Sequence, residues 1–496
     1  MRFLRRRLRL IGPLLAVMVL AGGVATLQTA GDPDMAAASD TAVPQQALDE
    51  HYLNCFDLPE IVPDLPGAAR LEGDQEMNQN IMNCFAWQEF IALNWQASAN
   101  HAGQPDMSIP ASLFGEPGAN APVVWETYKE DYEVFLPNAA TPDPWGADQS
   151  IPSICQDVAV EGARQLPAVA KFSNSVQVLD EFGQANSAVS DPDAWLTAQS
   201  GHRAHYEVRM NEVEFDYIIE HEFYNALKQY EAVQQAIAEG GPGIYFPKGT
   251  PDTAGAIEIK AAWIELDNPG LANRYLTTQA YIYNEQQEDP DCYVATVGLI
   301  GLHIIQKSTD QWTWATFEHI QNAPSIAEIA RQELQDVYRF WSPNCKVNCA
   351  PNRKPEAGQP YDQPIQVVRI KDIADVGSWG NFEDNVASLN SYMQQQIREA
   401  NPDSVFQHYE LVSIGWPVDP VANDHVTTGP LPYQNIVPES LANSIMETYF
   451  QQHHVNCSDC HSVAHIAPSS AEANPQWRSD YSFLLSRADE PSSGEE

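Results

Sequence analysis

Between residues 256 and 320 the chain runs through AIEIKAAWIEL, RYLTTQAYIYN, CYVATVGLIGLHIIQKS and QWTWATFEHI, four segments dense in β-branched and aromatic residues. Their apolar positions recur at a period near 2, that of a pleated strand, and they carry few helix starts. A sheet is the expected result. Helical spacing frames it at 83–96, 211–241, 325–340, 379–399 and 438–452, with Gly240 and Gly241 as the stop of the second and clearest of these. Short strands are expected at 363–370 and 408–416. Strands in series without regular βα alternation predict an α+β fold: a mixed or antiparallel sheet flanked by helices, with a C-terminal helix leading into residue 457. No internal repeat is present.

The chain has 496 residues, 44% of them apolar, with 12 Trp, 19 Tyr and 17 Phe. Such a composition excludes a disordered class and supports a large aromatic core. Residues 1–25 place five arginines before an uncharged apolar run that ends in small residues, the layout of a secretory signal peptide. The uncharged stretch from Leu10 to Gly31 is nearly long enough for the competing reading, an uncleaved anchor. Residues 26–49 read as a flexible leader, 50–436 as the α+β body and 437–496 as a C-terminal region packed on it. Loss of the five arginines moves the formal charge from −41 to −46. A surface that acidic repels phosphate backbones and anionic lipid heads, so no nucleic acid and no stable membrane insertion are expected once the signal peptide is removed.

Eight cysteines accompany this export signal. Cys457 and Cys460, with His461, form C-x-x-C-H; the remaining six, Cys55, Cys84, Cys155, Cys292, Cys345 and Cys349, are an even number suited to disulfides in an oxidising compartment. Their pairing is open, and a local Cys345–Cys349 bridge is conceivable. In C-x-x-C-H two thiols three residues apart reach the two vinyl groups of one haem while the adjacent histidine reaches its iron. A thioredoxin-like pair would open a helix in a βαβ context, and a zinc site would need a second ligand pair that Cys345/Cys349 matches poorly. Covalent haem c, one per chain with His461 as proximal ligand, is the expectation.

At CSDCH the chain resembles the c-type cytochromes. The stretches IEIKAAW, VGLIGLHI and WTWATFEHIQN are also similar to those of large secreted bacterial proteins with a single C-terminal C-x-x-C-H. This resemblance implies a monohaem protein assembled in the periplasm or outside the cell. The family's small class I fold places a Met downstream of the motif as the opposite axial ligand, and no Met follows Cys457 here. The late motif therefore borrows its surroundings from upstream, closer to the plan of cytochromes c′.

Candidates for the sixth iron position are His303, His319 and Met446. His303 lies in an apolar run with Gly298 and Gly301, where absent side chains leave room for a flat ring; the alternative is a core histidine bonded to a carbonyl or carboxylate. His319 ends the next strand on the face of Thr313, Ala315 and Phe317, and a hairpin turn near Ser308–Gln311 would pair the two strands. Whether the two histidines share a face depends on register. Met446 beside Tyr449 and Phe450 reads equally as packing. His453 and His454 approach from the proximal side, and His465 flanks the haem. His202 and His205 read as surface groups, and His221 as an ion-pair partner of Glu220 and Glu222. Trp312 and Trp314 are either electron-buffering or core aromatics.

No P-loop, dinucleotide, G-x-S-x-G or H-E-x-x-H motif occurs. The expected function is single-electron transfer with a redox partner protein, plausibly basic. The alternatives are a haem-dependent peroxidase- or oxidase-like oxidoreductase with an open distal site, and a non-catalytic binder of a small gas or ligand.

Overall fold

The computed structural model describes residues 61–492 except 70, 72–74, 120, 150, 159, 161–162, 168–194, 242, 284–291, 336, 357, 374–385, 420–435, 439, 452–455 and 469–476. The signal peptide, the leader, Cys55, His453 and His454 lie outside the described residues. All described residues belong to one compact unit, Val43–Glu496.

The four period-2 segments do form strands. The strands of the main sheet are β1 (Lys129–Glu130), β2 (Arg164–Pro167), β3 (His205–Met210), β4 (Ile257–Glu265), β5 (Thr277–Tyr283), β6 (Cys292–Gln306), β7 (Thr313–His319), β8 (Tyr409–Pro417) and β9 (Ile436–Val437), the four segments being β4 to β7. They make one sheet in the order β9-β8-β7-β6-β4-β3-β1, with β5 also on β6 and β2 beside β5. The β2–β5 pair is parallel and the other pairs are antiparallel, so the sheet is mixed. The fold is α+β.

Fifteen-residue β6 organises the sheet. One edge pairs with β4; the other pairs with β5 along its first half and with β7 along its second. The β6–β7 hairpin turns where expected, with Gln306 opposite Thr313. Cross-strand partners share a face. Lys260, His303 and Thr316 form one row across β4, β6 and β7, and Glu258, Ile305 and Trp314 form the next. The opposite face carries Ile257, Ile259, Ala261, Leu302, Ile304, Ala315 and Phe317, all buried. It packs against helices α1 (Gln75–Leu93) and α5 (Val386–Ala400), with Phe90 stacked on Phe317 at 4.4 Å. The face bearing Lys260 and His303 is covered instead by α2 (Glu212–Glu220), α3 (Ala226–Glu239) and the C-terminal residues.

Several expectations change. The long helix over 211–241 is two, α2 and α3, because Glu222 adopts φ +55° and Asn225 caps the second by accepting the Leu227 N–H. Gly240 ends α3 at φ +71°, as its position implies. The helix over 325–340 is only α4 (Ile326–Arg331). The strand over 363–370 is absent: the N–H groups of Ile365, Val367 and Arg369 donate to Thr197, Phe340 and Pro324, three separate segments. In place of the helix over 438–452, the described residues 440–451 form a succession of turns, and Cys457–His461 form the short helix α6.

A buried carboxylate explains that last change. Glu318, fully buried on β7, accepts the backbone N–H of Ser444 at 2.5 Å and its hydroxyl, while Asn443 donates to Thr316 and to the Phe317 carbonyl. The Ser444 N–H thus goes to the sheet, while the N–H of Asn443 donates to the Glu447 side chain and those of Ile445 and Met446 to the Asn443 side chain, instead of to a continuous helical ladder. Glu318 is neutralised by Arg369, bidentate at 3.1 and 3.0 Å, which also reaches Glu410 at 3.1 Å.

Cys155–Cys292 ties a loop to the start of β6, and Cys345–Cys349 is the local bridge envisaged from sequence. Cys84 is also disulfide-bonded, whereas Cys457 and Cys460 are in no disulfide.

Arg369→Gln leaves Glu318 buried without its cation, and breaking such a pair costs about 3–5 kcal/mol. Denaturant unfolding of the full chain should show that loss, and proteolysis should begin near 438–451. A loss below about 1 kcal/mol would mean that Arg369 does not anchor the segment.

Candidate functional site

Helix α6 is a single turn made by the motif itself. Asn456 accepts the Asp459 N–H at 3.1 Å and Asp459 accepts the Asn456 N–H at 2.8 Å, a capping box that starts the turn. At helical spacing Cys457, Cys460 and His461 lie on neighbouring positions of one surface. The His461 Nδ1–H donates to the Tyr481 carbonyl at 2.7 Å, which leaves the lone pair on Nε2. Phe483 meets the imidazole edge-on at 5.1 Å.

That carbonyl is aimed by unusual backbone: Asp480 and Tyr481 stand at φ +53° and +67°. Such conformations persist only where surrounding contacts over-determine them. Here the Asp480 carboxylate is gripped by the buried Lys307 ammonium and accepts the Phe246 N–H at 2.8 Å; its carbonyl accepts the Trp312 indole N–H at 2.7 Å. Lys307 in turn sits 3.3 Å above the Tyr245 ring.

Between α6 and the sheet lies a cavity enclosing about 970 Å³ of space, counting its mouth. Cys457, Cys460 and His461 form one wall and Lys260, His303 and Trp314 the other; Glu447 and Arg487 also line it. His303 Nε2 is buried without a hydrogen bond, 3.6 Å from Glu447 Oε2. Burial first, then the charges of Lys260 and His461, push the His303 imidazole well below its usual range and keep it neutral. Burial likewise lowers His461 to about 4 and raises Glu447 to about 7.

The residues fit haem c. Two free thiols, an imidazole with its Nε2 lone pair available and an unpartnered neutral imidazole meet at one cavity. The Trp314 indole N–H is also buried there without a partner. Among the described residues no group of three or more His, Cys, Asp or Glu is placed to hold a bare metal ion.

The register separates the three sixth-ligand candidates. His303 faces the cavity. His319 is on the opposite face: its Nε2–H donates to the Arg274 carbonyl at 2.9 Å, its Nδ1 accepts the Gln321 N–H at 3.1 Å, and its ring stacks on Tyr275 at 3.9 Å. With both nitrogens engaged it is a structural histidine. Met446 is fully buried among Tyr206, Ile264 and Ile300 and does not line the cavity. The two glycines serve these neighbours and not a cofactor: a Cβ at Gly298 would meet Tyr275 at 3.0 Å, and one at Gly301 would meet Met446 at 3.2 Å.

Other histidines are accounted for locally. His202 pairs with Asp267 at 2.6 Å and Glu265 at 3.3 Å, whereas His205 is not a surface group but is buried on β3, 3.9 Å from Glu265. His221 donates to the Tyr217 carbonyl and not to Glu220 or Glu222. His465 donates to the Ile466 carbonyl just beyond α6. Trp312 is core, whereas Trp314 faces the cavity.

Sequence reasoning missed Lys260, Glu447, Arg487 and the Tyr481 carbonyl. Lys260 left a signal: a lone cation inside the apolar strand IEIKAAW must have a reason to be there. The others come from distant segments that only folding brings together. No protein family, curated protein or solved structure matches the chain.

Glu258, which lines the cavity, and Glu214 beside it are buried carboxyls raised chiefly by burial, Glu258 to about 7. A raised folded pKa means the folded state holds protons that the unfolded chain has released, so stability is lost as pH climbs from about 4.5 through 7. Glu214→Gln should thus gain stability over the native chain between pH 5 and pH 8 in urea titrations. A difference that stays flat with pH would refute the buried pair.

Proposed function

We propose that this chain is an exported monohaem c-type cytochrome that transfers single electrons. The observation that carries the reading is the convergence of Cys457 and Cys460, neither in a disulfide, His461 with its Nε2 lone pair, and His303 Nε2 without a hydrogen bond on one cavity. Cys457 and Cys460 would hold the haem through thioethers, and His461 and His303 would be its axial ligands. When bound, the haem supplies a one-electron iron couple.

The protein's own part is to bind, orient and exclude water. The Tyr481 carbonyl sets the His461 tautomer, and hydrogen bonding of this kind raises the basicity of a ligating imidazole. Phe483, Trp314 and Ile305 keep the surroundings apolar. The reading includes export through residues 1–25 and a basic redox partner, because a −46 chain steers cations toward itself over about one Debye length. Among the described residues no helix is long and apolar enough to cross a membrane.

The geometry also defines the competing reading. If His303 does not bind iron, then His303, Lys260 and Glu447 stand as acid–base groups beside an open position, as a haem-dependent oxidoreductase would need.

Spectra of the haem-loaded protein separate the two. We expect a low-spin iron indifferent to carbon monoxide, and His303→Ala should convert it to a high-spin form that binds the gas. His319→Ala and Met446→Leu should leave the spectrum unchanged. A native protein that is high-spin and takes up carbon monoxide would sink the shuttle in favour of the enzyme or the gas binder. Cys457→Ala with Cys460→Ala should abolish haem staining in a denaturing gel. Electron exchange with a small basic redox protein should slow at least several-fold as salt rises from 10 to 200 mM, by the screening that weakens charge steering.

A further inference from the structure

We propose that a second site, a surface cleft built around Arg274 and Glu116, binds a free amino acid with a large apolar side chain. It lies beside His319, on the side of the sheet away from the haem cavity, and is independent of the haem reading. Two adjoining hollows make it. One is polar and carries Arg274, His408, Gln407, Asp403 and Glu116. The other encloses about 490 Å³, counting its mouth, and is walled by Trp95, Ile109, Leu113, Phe114, Leu276 and Phe406. Glu116 lines both, so it stands where they meet.

Packing fixes the apolar hollow. The Phe114 ring lies 4.8 Å from Phe406 and 5.4 Å from Trp95. Gly115, at φ +70°, is required between them, since a Cβ there would meet the Phe406 ring at 2.6 Å; its carbonyl accepts the Val405 N–H at 2.8 Å. The Asn401 amide donates to the Phe114 carbonyl at 3.1 Å and to Glu116 Oε2 at 3.4 Å, which ties the carboxylate to the same frame. Arg274 closes the turn Pro269–Arg274, whose end is held by the bond from His319 to the Arg274 carbonyl.

The charges of the polar hollow are not paired with each other. Arg274 Nε is buried without a hydrogen bond, and among the described residues its guanidinium forms no ion pair, although Glu116 and Asp403 line the same hollow. Its charge is felt there: burial first, then Arg274 and Arg398, push the His408 imidazole down to about 4. A guanidinium of this kind is suited to a bidentate carboxylate. A plain carboxylate bound to it would also meet Glu116 and Asp403, and a plain amine would meet Arg274, so a ligand of one charge is disfavoured either way. An α-amino acid presents a carboxylate, an ammonium and a side chain from a single carbon. Arg274 takes the first, Glu116 at the junction takes the second, and the apolar hollow takes the third.

Calorimetric titration of the full-length protein as purified tests the assignment. Phenylalanine should bind roughly ten-fold more tightly than hydrocinnamate, which lacks the ammonium, than phenethylamine, which lacks the carboxylate, and than glycine, which lacks the ring. Arg274→Gln should weaken phenylalanine roughly ten-fold, and Arg274→Lys should recover part of that loss, which a folding defect would not. Glu116→Gln, a change on an exposed side chain, should weaken phenylalanine several-fold and leave hydrocinnamate no weaker. Absence of saturable binding of phenylalanine and leucine up to about 10 mM would overturn the proposal. So would an Arg274→Gln variant that binds as the native chain does. If hydrocinnamate binds as tightly as phenylalanine, the cleft takes an apolar acid and the amino-acid assignment is wrong.

Discussion

The register of β6 is the constraint from which the site follows. A strand bonded along both edges has no freedom to rotate or slip, and a slip of one residue would exchange its two faces. Locked between β4 on one side and β5 and β7 on the other, β6 sends Leu302 and Ile304 into the core beneath α1 and α5 and sends His303 and Ile305 to the opposite side. The same pairing lines up Lys260 and Trp314 with them. Two rows of side chains on three strands therefore make a rigid wall, and rigidity is what a cofactor site needs from its scaffold.

Against this wall the C-terminal residues are held by charge as well as by apolar contact. Glu318 with Arg369 pins Ser444, and Asp480 with Lys307 pins the turn that presents the Tyr481 carbonyl to His461. A third buried group, Arg209 with Glu207 and Glu130, secures the other end of the sheet. Buried ions in this chain generally come with their counter-ions, as desolvation demands. Buried groups without such a partner are held toward their neutral forms by burial: His303 on the cavity is pushed down, and the carboxyls of Glu89, Glu214 and Glu258 are pushed up.

These contacts show how a one-turn C-x-x-C-H motif comes to face an enclosed cavity. Helix α6 is one turn long and could not enclose a ring by itself. It closes a cavity that the sheet has already built, with 440–451 approaching on one side and 477–488 on the other. In the proposed cytochrome the distal ligand comes from the sheet, not from a methionine beyond the motif, and the large upstream fold serves to place it.

Much of this was legible in the chain. The period-2 segments foretold four strands at nearly their observed bounds, and C-x-x-C-H marked Cys457, Cys460 and His461 because that chemistry is local, set by spacing within five residues. The break at Glu222 and Asn225 escaped because a favourable apolar stripe hides a cap, and the turns over 440–451 escaped because Ser444 is held by a carboxylate more than a hundred residues earlier. His303 and His319 were equivalent on paper, each in an apolar strand, and neither sequence holds the information that one faces the cavity. The sequence by itself determined which short stretches become strands and where haem chemistry is possible, since both depend on neighbours along the chain. Only the tertiary structure decided that His303, Lys260, Glu447 and Arg487 meet the motif while His319 and Met446 do not, because which face a strand residue presents is fixed by its partners across the sheet.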